Sequence, residues 1–123
     1  MARILVIDDD LKLRRTILKI LDSLGHELFE AGDGNEGMAQ IERAKPNLVL
    51  TDIIMPDKEG IETILDIRRH YPGVKIIAMS GSGSGQAPQF LSVARKLGAD
   101  ATLNKPFRAT ELRDIIEKLL AEG

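Results

Sequence analysis

Five short apolar runs alternate with five amphipathic stretches along this chain, and that alternation constrains the fold more than any other feature. The runs are Ile4 to Ile7, Glu27 to Ala31, Leu48 to Leu50, Val74 to Met79 and Asp100 to Leu103. All are too short for helices. The first, third and fourth are rich in branched residues, which suits strands buried on both faces. The stretches between them carry apolar residues at three- and four-residue steps. The first has Leu13, Ile17, Leu21 and Leu24, with Arg14, Arg15, Lys19 and Asp22 between them. The second runs through Met38, Ala39 and Ile41 to Ala44, with Asn35 as its expected cap. In the third, which begins at Gly60, Ile61, Ile64, Leu65 and Ile67 should face inward. The fourth, Gln86 to Leu97, offers Phe90, Val93, Ala94 and Leu97. The last offers Leu112, Ile115, Ile116, Leu119 and Leu120, with Arg108 or Thr110 near its start. Gly25, Pro46, Pro72-Gly73 and Gly98 separate the elements. Strand followed by helix, five times over, predicts an α/β fold: a parallel sheet with helices on both faces, right-handed crossovers and one core.

In such a sheet every strand ends at the same edge, where open α/β folds bind ligands. The first strand ends at Asp8-Asp9-Asp10, the third at Asp52, the fourth at Ser80 and the fifth at Asn104-Lys105-Pro106-Phe107. Singly, each has an ordinary explanation: Asp10 as a helix cap, Asp52 as a solvated strand end, Ser80 as a turn residue, Lys105 as a surface charge. Together they place carboxylates, a hydroxyl and an ammonium at one edge. Crowded carboxylates raise one another's pKa unless a cation lies among them. Oxygen-only donors suit a hard divalent ion, with Mg²⁺ the usual choice beside a phosphate. No cysteine occurs in the chain and neither histidine, His26 or His70, falls at this edge, which disfavours zinc. Both histidines read as solvated surface. With Mg²⁺ present, Asp52 stays ionised and can act as a nucleophile on phosphorus. Ser80 and Lys105 can then hold the phosphoryl oxygens.

Over essentially its whole length the chain resembles the receiver domain of two-component response regulators, including the single-domain chemotaxis regulators. The likeness is carried by the acidic pair Asp8-Asp9, by Asp52 followed by Met55-Pro56 and Gly60, by Ser80 ending the fourth strand and by Lys105-Pro106-Phe107. It implies a flavodoxin-like three-layer sandwich around a doubly wound five-stranded sheet of order 2-1-3-4-5, with residues 1–123 as a single receiver domain. It implies Asp52 as phosphoacceptor, Ser80 as switch hydroxyl and Lys105 as the phosphate-binding lysine. Asp9 would bind Mg²⁺ directly and Asp8 largely through water, with Asp52 and the backbone carbonyl of Ile54 completing the set. A sensor histidine kinase or phosphotransfer protein would supply the phosphoryl group, and a surface near the fourth helix and fifth strand would pass the signal to an output domain or target. Thr102 stands where the family often has an aromatic switch residue, Lys58 where it is often apolar, and Ile54 and Ser82 at the positions that tune hydrolysis.

Two other readings compete. A Mg²⁺-dependent phosphatase of the haloacid-dehalogenase type also uses an Asp nucleophile, but on its first strand. Asp8-Asp9-Asp10-Leu11-Lys12 approaches that pattern and Lys12 spoils it; the chain also lacks room for a substrate cap. A flavin or nucleotide binder could use Ser80 to Gly85 as an anion nest, but there is no Trp and one Tyr to stack on a ring. A receiver-like module that works by contact alone, without phosphorylation, remains the bland alternative. At 123 residues and 43% hydrophobic content the chain suits one domain with a real core, built with only 3% aromatics from aliphatic side chains. A formal charge of −2 and no basic tract disfavour nucleic-acid binding by this domain. Ile4 to Ile7 is too short for a signal-peptide core or a membrane span. The expectation is a cytoplasmic protein, either a stand-alone regulator or a receiver from a longer one.

Overall fold

Arg3–Ile7 (β1) is apolar after its first residue, and Ile4, Leu5, Val6 and Ile7 are all fully buried. Full burial on both faces requires cover on both sides. In the computed structural model, which describes residues 2–53, 60–80 and 87–122 (without the side chains of 87–91), helices supply it. The order is β1, α1 (Leu11–Ser23), β2 (Glu27–Ala31), α2 (Gly34–Ala44), β3 (Leu48–Asp52), α3 (Gly60–His70), β4 (Lys75–Ser80), α4 (Ala87–Leu97), β5 (Ala101–Asn104) and α5 (Ala109–Glu122). All pairings are parallel, and the sheet order is β2-β1-β3-β4-β5. Alternate side chains divide the core in two. Leu5, Ile7, Val49 and Ile76 pack under α2, α3 and α4; Ile4, Val6, Leu48 and Ile77 pack under α1 and α5. The parallel sheet covered on both faces, expected from the alternation, is found, and its strand order is the doubly wound one that the resemblance implies.

Local chemistry sets the element ends. Asp10 caps α1, its carboxylate accepting from Leu13 N–H. Gly25, at φ +84°, takes the left-handed turn that follows this helix. The cap of α2 is Asp33 rather than Asn35. Asp33 is extended, and its Oδ1 accepts from Glu36 N–H at 2.8 Å. Glu36 Oε2 in turn accepts from Gly32 N–H at 3.3 Å. Asp and Asn cap about equally well, and the carboxylate two residues earlier takes the role. In α3 the buried set is Gly60, Thr63, Ile64 and Ile67, and Leu65 is 37% exposed. Leu65 lies one residue, about 100° of helix, past Ile64, so both cannot face the sheet. In α4, Ala94 is fully buried and Val93 is 44% exposed, for the same reason. The Ile54 carbonyl, Pro56, Lys58, Ser82, the Gly81 to Gly85 loop, Gln86 and the Phe90 side chain lie outside the described residues.

At the amino edge of the sheet one guanidinium ties three segments together. Arg68, near the end of α3, donates to the carbonyls of Pro72, Val74 and Gly98 and to the Asp100 carboxylate. The same Asp100 oxygen accepts from Ile76 N–H at 2.8 Å. His26 is also at this edge. It is half-buried rather than solvated, its Nδ1 accepting from Ala2 N–H, and burial lowers its pKa. His70 is exposed, as expected.

Gly60 is where α3 meets the end of β3. A Cβ there would overlap the Asp52 carbonyl oxygen and Ile53 Cα, both backbone atoms with no freedom to withdraw. Gly60→Ala should therefore destabilise the fold by about 3 kcal/mol or more, the upper end of the usual overpacking cost. Urea unfolding measures it; a change below 1 kcal/mol, on the order of an ordinary Gly-to-Ala effect, would show that this helix start yields easily.

Candidate functional site

The sheet order reverses at β1, so the crevice between the carboxyl ends of β1 and β3 is the topological switch point. Asp8 and Asp52 flank it. Ile7 registers with Thr51, which places the next residues, Asp8 and Asp52, side by side. Asp52 registers with Met79, one before Ser80, and Ser80 registers with Asn104, one before Lys105. Asp8, Asp52, Ser80 and Lys105 therefore stand on four neighbouring strand ends, with Asp9 next to Asp8.

Lys105 joins the two buried acids. Its Nζ donates to Asp8 Oδ2 at 2.9 Å and to Asp52 Oδ2 at 2.8 Å. Asp8 is fully buried, the Asp52 side chain is 10% exposed and that of Lys105 14%. Asp8 Oδ1 accepts from Asp10 N–H at 3.0 Å. Asp9 is exposed, yet one of its carboxylate oxygens lies within 4.8 Å of ligand atoms on both Asp8 and Asp52. Burial pushes the Asp8 carboxyl above its ordinary value; the Asp10 N–H and the Lys105 ammonium pull against it. Burial works the other way on Lys105, but hydrogen bonds and charge from Asp52 and Asp8 outweigh it and hold the ammonium above the usual lysine value.

Ser80 is almost wholly buried, and its Oγ has no hydrogen-bond partner among the described residues. An unpaired buried hydroxyl costs about 1–3 kcal/mol, so its presence beside the acids calls for a ligand or a water. Its carbonyl is engaged: Lys105 N–H donates to Ser80 O at 2.8 Å. The hydroxyl and the ammonium are thus carried on directly bonded main chain.

The donor set fits a hard divalent cation: three carboxylates with mutually close oxygens, one of them reachable from solvent, and no softer ligand among them. One lysine neutralises only part of three negative charges. Five of the residues picked from the sequence, Asp8, Asp9, Asp52, Ser80 and Lys105, converge at this edge. One was missed. Arg14 reads in the sequence as one of the polar residues on the outside of α1, but its side chain turns under the site, donating to Asp8 O at 2.7 Å and to Glu30 Oε1 at 2.7 Å. Its position beside Leu13, on the flank of the buried stripe, was the available signal.

Charge balance in the cluster gives a stability prediction of two signs. Lys105→Met leaves Asp8 and Asp52 buried against each other and should cost about 3–5 kcal/mol in metal-free buffer. Asp8→Asn relieves the crowding while Lys105 keeps Asp52. It should stabilise by about 1 kcal/mol or more. Urea unfolding in chelator checks both, and shifts of the same sign would contradict an electrostatic origin.

Comparison with known proteins agrees with this geometry. Residues 4–117 match the response regulator receiver domain family. The DNA-binding transcriptional regulator NtrC of Azospirillum brasilense is 34% identical over 97% of this chain, which spans 24% of that protein. The chemotaxis protein CheY of Thermotoga maritima is 33% identical over 95% of this chain and 96% of its own length. Among solved structures, the receiver domain of NtrX from Brucella abortus superposes with a TM-score of 0.92 at 30% identity, covering 98% of this chain and 99% of that one. A family match of that extent, with a relative of this identity spanned almost end to end, means that the chain belongs to the response regulator receiver domains, the phosphorelay signalling modules of two-component systems.

Proposed function

We propose that this chain is a phosphorylation-dependent switch in which Asp52 accepts a phosphoryl group from a sensor histidine kinase or a phosphotransfer protein. The observation that carries the reading is the Ser80 hydroxyl, which has no partner among the described residues and is buried on the strand next to an Asp52 already paired with Lys105. An acceptor carboxylate, an ammonium and an unused hydroxyl donor are what a transferred phosphoryl group requires. In the step itself, an Asp52 oxygen attacks phosphorus and the bond from phosphorus to the donor's imidazole nitrogen breaks. The electron pair of that bond goes to the imidazole. Lys105 exchanges part of its contact with Asp52 for a phosphoryl oxygen, and Ser80 Oγ donates to another. Mg²⁺, held by Asp8, Asp9, Asp52 and the Ile54 carbonyl, would neutralise charge on the phosphoryl oxygens.

Phosphorylation adds about −1.5 to −2 charges and three strong acceptors. Because Ser80 O is bonded to Lys105 N–H, a pull on Ser80 is felt at β5 as well as at the start of the segment leading to α4. Thr102, half-buried on β5, has no ring to swing inward. The output therefore travels through the main chain and α4 toward a target or an output domain. Residues 1–123 act as one receiver unit, in the cytoplasm, without nucleic-acid contact of their own and without turnover of free substrates.

Acetyl phosphate is the simplest test. With Mg²⁺ or Mn²⁺ the intact mass should rise by one phosphoryl group, and with chelator it should not. Asp52→Asn should abolish the gain, while Ser80→Ala should keep it. Full labelling of Asp52→Asn at the native rate would sink the assignment. Mg²⁺ should also raise the melting temperature, by the equivalent of about 2.7 kcal/mol at a hundredfold excess over Kd. Multiple turnover of a small phosphate ester would favour the phosphatase reading instead.

A further inference from the structure

The peptide that carries Asp8 is held from two directions. Its N–H donates to Ala31 O of β2 at 3.1 Å. Its carbonyl accepts from no main-chain N–H among the described residues and instead accepts from Arg14 Nη1 at 2.7 Å. Arg14 lies one turn into α1, its own N–H donating to Asp10 O. The side chain is only 14% exposed, and Nε donates to Glu30 Oε1 at 2.7 Å. One guanidinium thus spans the end of β1, the first turn of α1 and the edge strand β2.

The Asp8 carbonyl and the Asp9 N–H belong to one planar peptide. Fixing the carbonyl fixes the plane, and with it the direction in which Asp9 leaves the sheet edge. Asp9 depends on this more than its neighbours do. The Asp8 carboxylate is held by Asp10 N–H and Lys105, and the Asp52 carboxylate by Lys105. Asp9 is exposed, and among the described residues its side chain makes no hydrogen bond or ion pair. Its oxygen nevertheless lies within 4.8 Å of both other acids.

We propose that Arg14, braced by Glu30, is a positioning residue for the divalent-cation site: it sets the Asp8–Asp9 peptide and so keeps the Asp9 carboxylate at the cluster. The inference rests on Asp8, Asp9 and Asp52 being the cation's ligands. Simple electrostatics pulls the other way, because a guanidinium near the site repels a cation. Charge alone predicts tighter cation binding when Arg14 is neutralised, and positioning predicts weaker binding. The sign of the change decides between them.

Mn²⁺ is the probe, with free Mn²⁺ followed by electron spin resonance on the full, unphosphorylated chain. Arg14→Gln should raise the Mn²⁺ Kd about tenfold, the lower end of what partners behind a metal's ligands contribute. Arg14→Lys keeps the charge and can still donate to Asp8 O, and should recover much of the loss. Glu30→Gln should weaken binding in the same direction but less. Melting curves in chelator report folding separately. An unchanged or tighter Kd for Arg14→Gln, whether or not its melting temperature falls, overturns the proposal. If Arg14→Gln does not fold, unchanged Kd values for both Arg14→Lys and Glu30→Gln overturn it. Absence of Mn²⁺ binding by the wild type, or native affinity in Asp52→Asn, would remove the cation-site reading itself and this proposal with it. That failure is recognisable because it shows before Arg14 is altered.

Discussion

The Lys105 ammonium between two buried carboxylates is the interaction on which the rest of this structure depends. Lys105 and Asp8 are 97 positions apart in the chain, and they meet only if β5 is beside β4, β4 beside β3 and β3 beside β1. A slip of one residue in any of those registers would turn a charged side chain into the core. The contact also sits at the limit of what a core tolerates. Two carboxylates and one ammonium, nearly out of water, are held by hydrogen bonds whose loss would leave a buried charge alone. The aliphatic layers under five helices stabilise the fold; this edge draws on that stability to hold charges where they can do chemistry.

Much of this was legible in the sequence because the relevant signals are periodic and local. Apolar runs of three to six residues, helical spacing between them and glycine or proline at the joints were enough for the layer order. Polar residues at the ends of those runs were enough for the edge. Apart from His26, which lies half-buried against the Ala2 N–H, the errors came where two residues of equal propensity competed. Asp33 and Asn35 are both good caps, and only the chain's entry into α2 chooses between them. Leu65 beside Ile64, and Val93 beside Ala94, cannot both face a sheet, and the choice depends on how each helix is rolled. Ile54 and Gly81 to Gly85 carry expectations on which the described residues are silent.

Arg14 was missed for a different reason: its place on the flank of the buried stripe hints at an inward turn but does not say toward what. Hydropathy treats arginine as surface, yet its aliphatic stem can run inward along an apolar flank while the guanidinium meets buried acceptors. Its partners, a main-chain carbonyl and Glu30 on another strand, leave no trace in local spacing. The same holds for Ser80 Oγ: that it stands at a strand end is visible in the sequence, but that it is buried, with no partner among the described residues, is a property of the packing around it.

The Arg68 knot has a mechanical consequence. It clamps the entry to β4 and the turn before β5 to the end of α3, and it lies at the opposite edge of the sheet from Lys105 and Ser80. The β4–β5 pair is therefore anchored by one side chain at its amino end. The end of the pair that carries Ser80 and Lys105 is thus the end farthest from this knot, and there the strands are tied to their neighbours by the sheet itself and by the Lys105 contacts with Asp8 and Asp52.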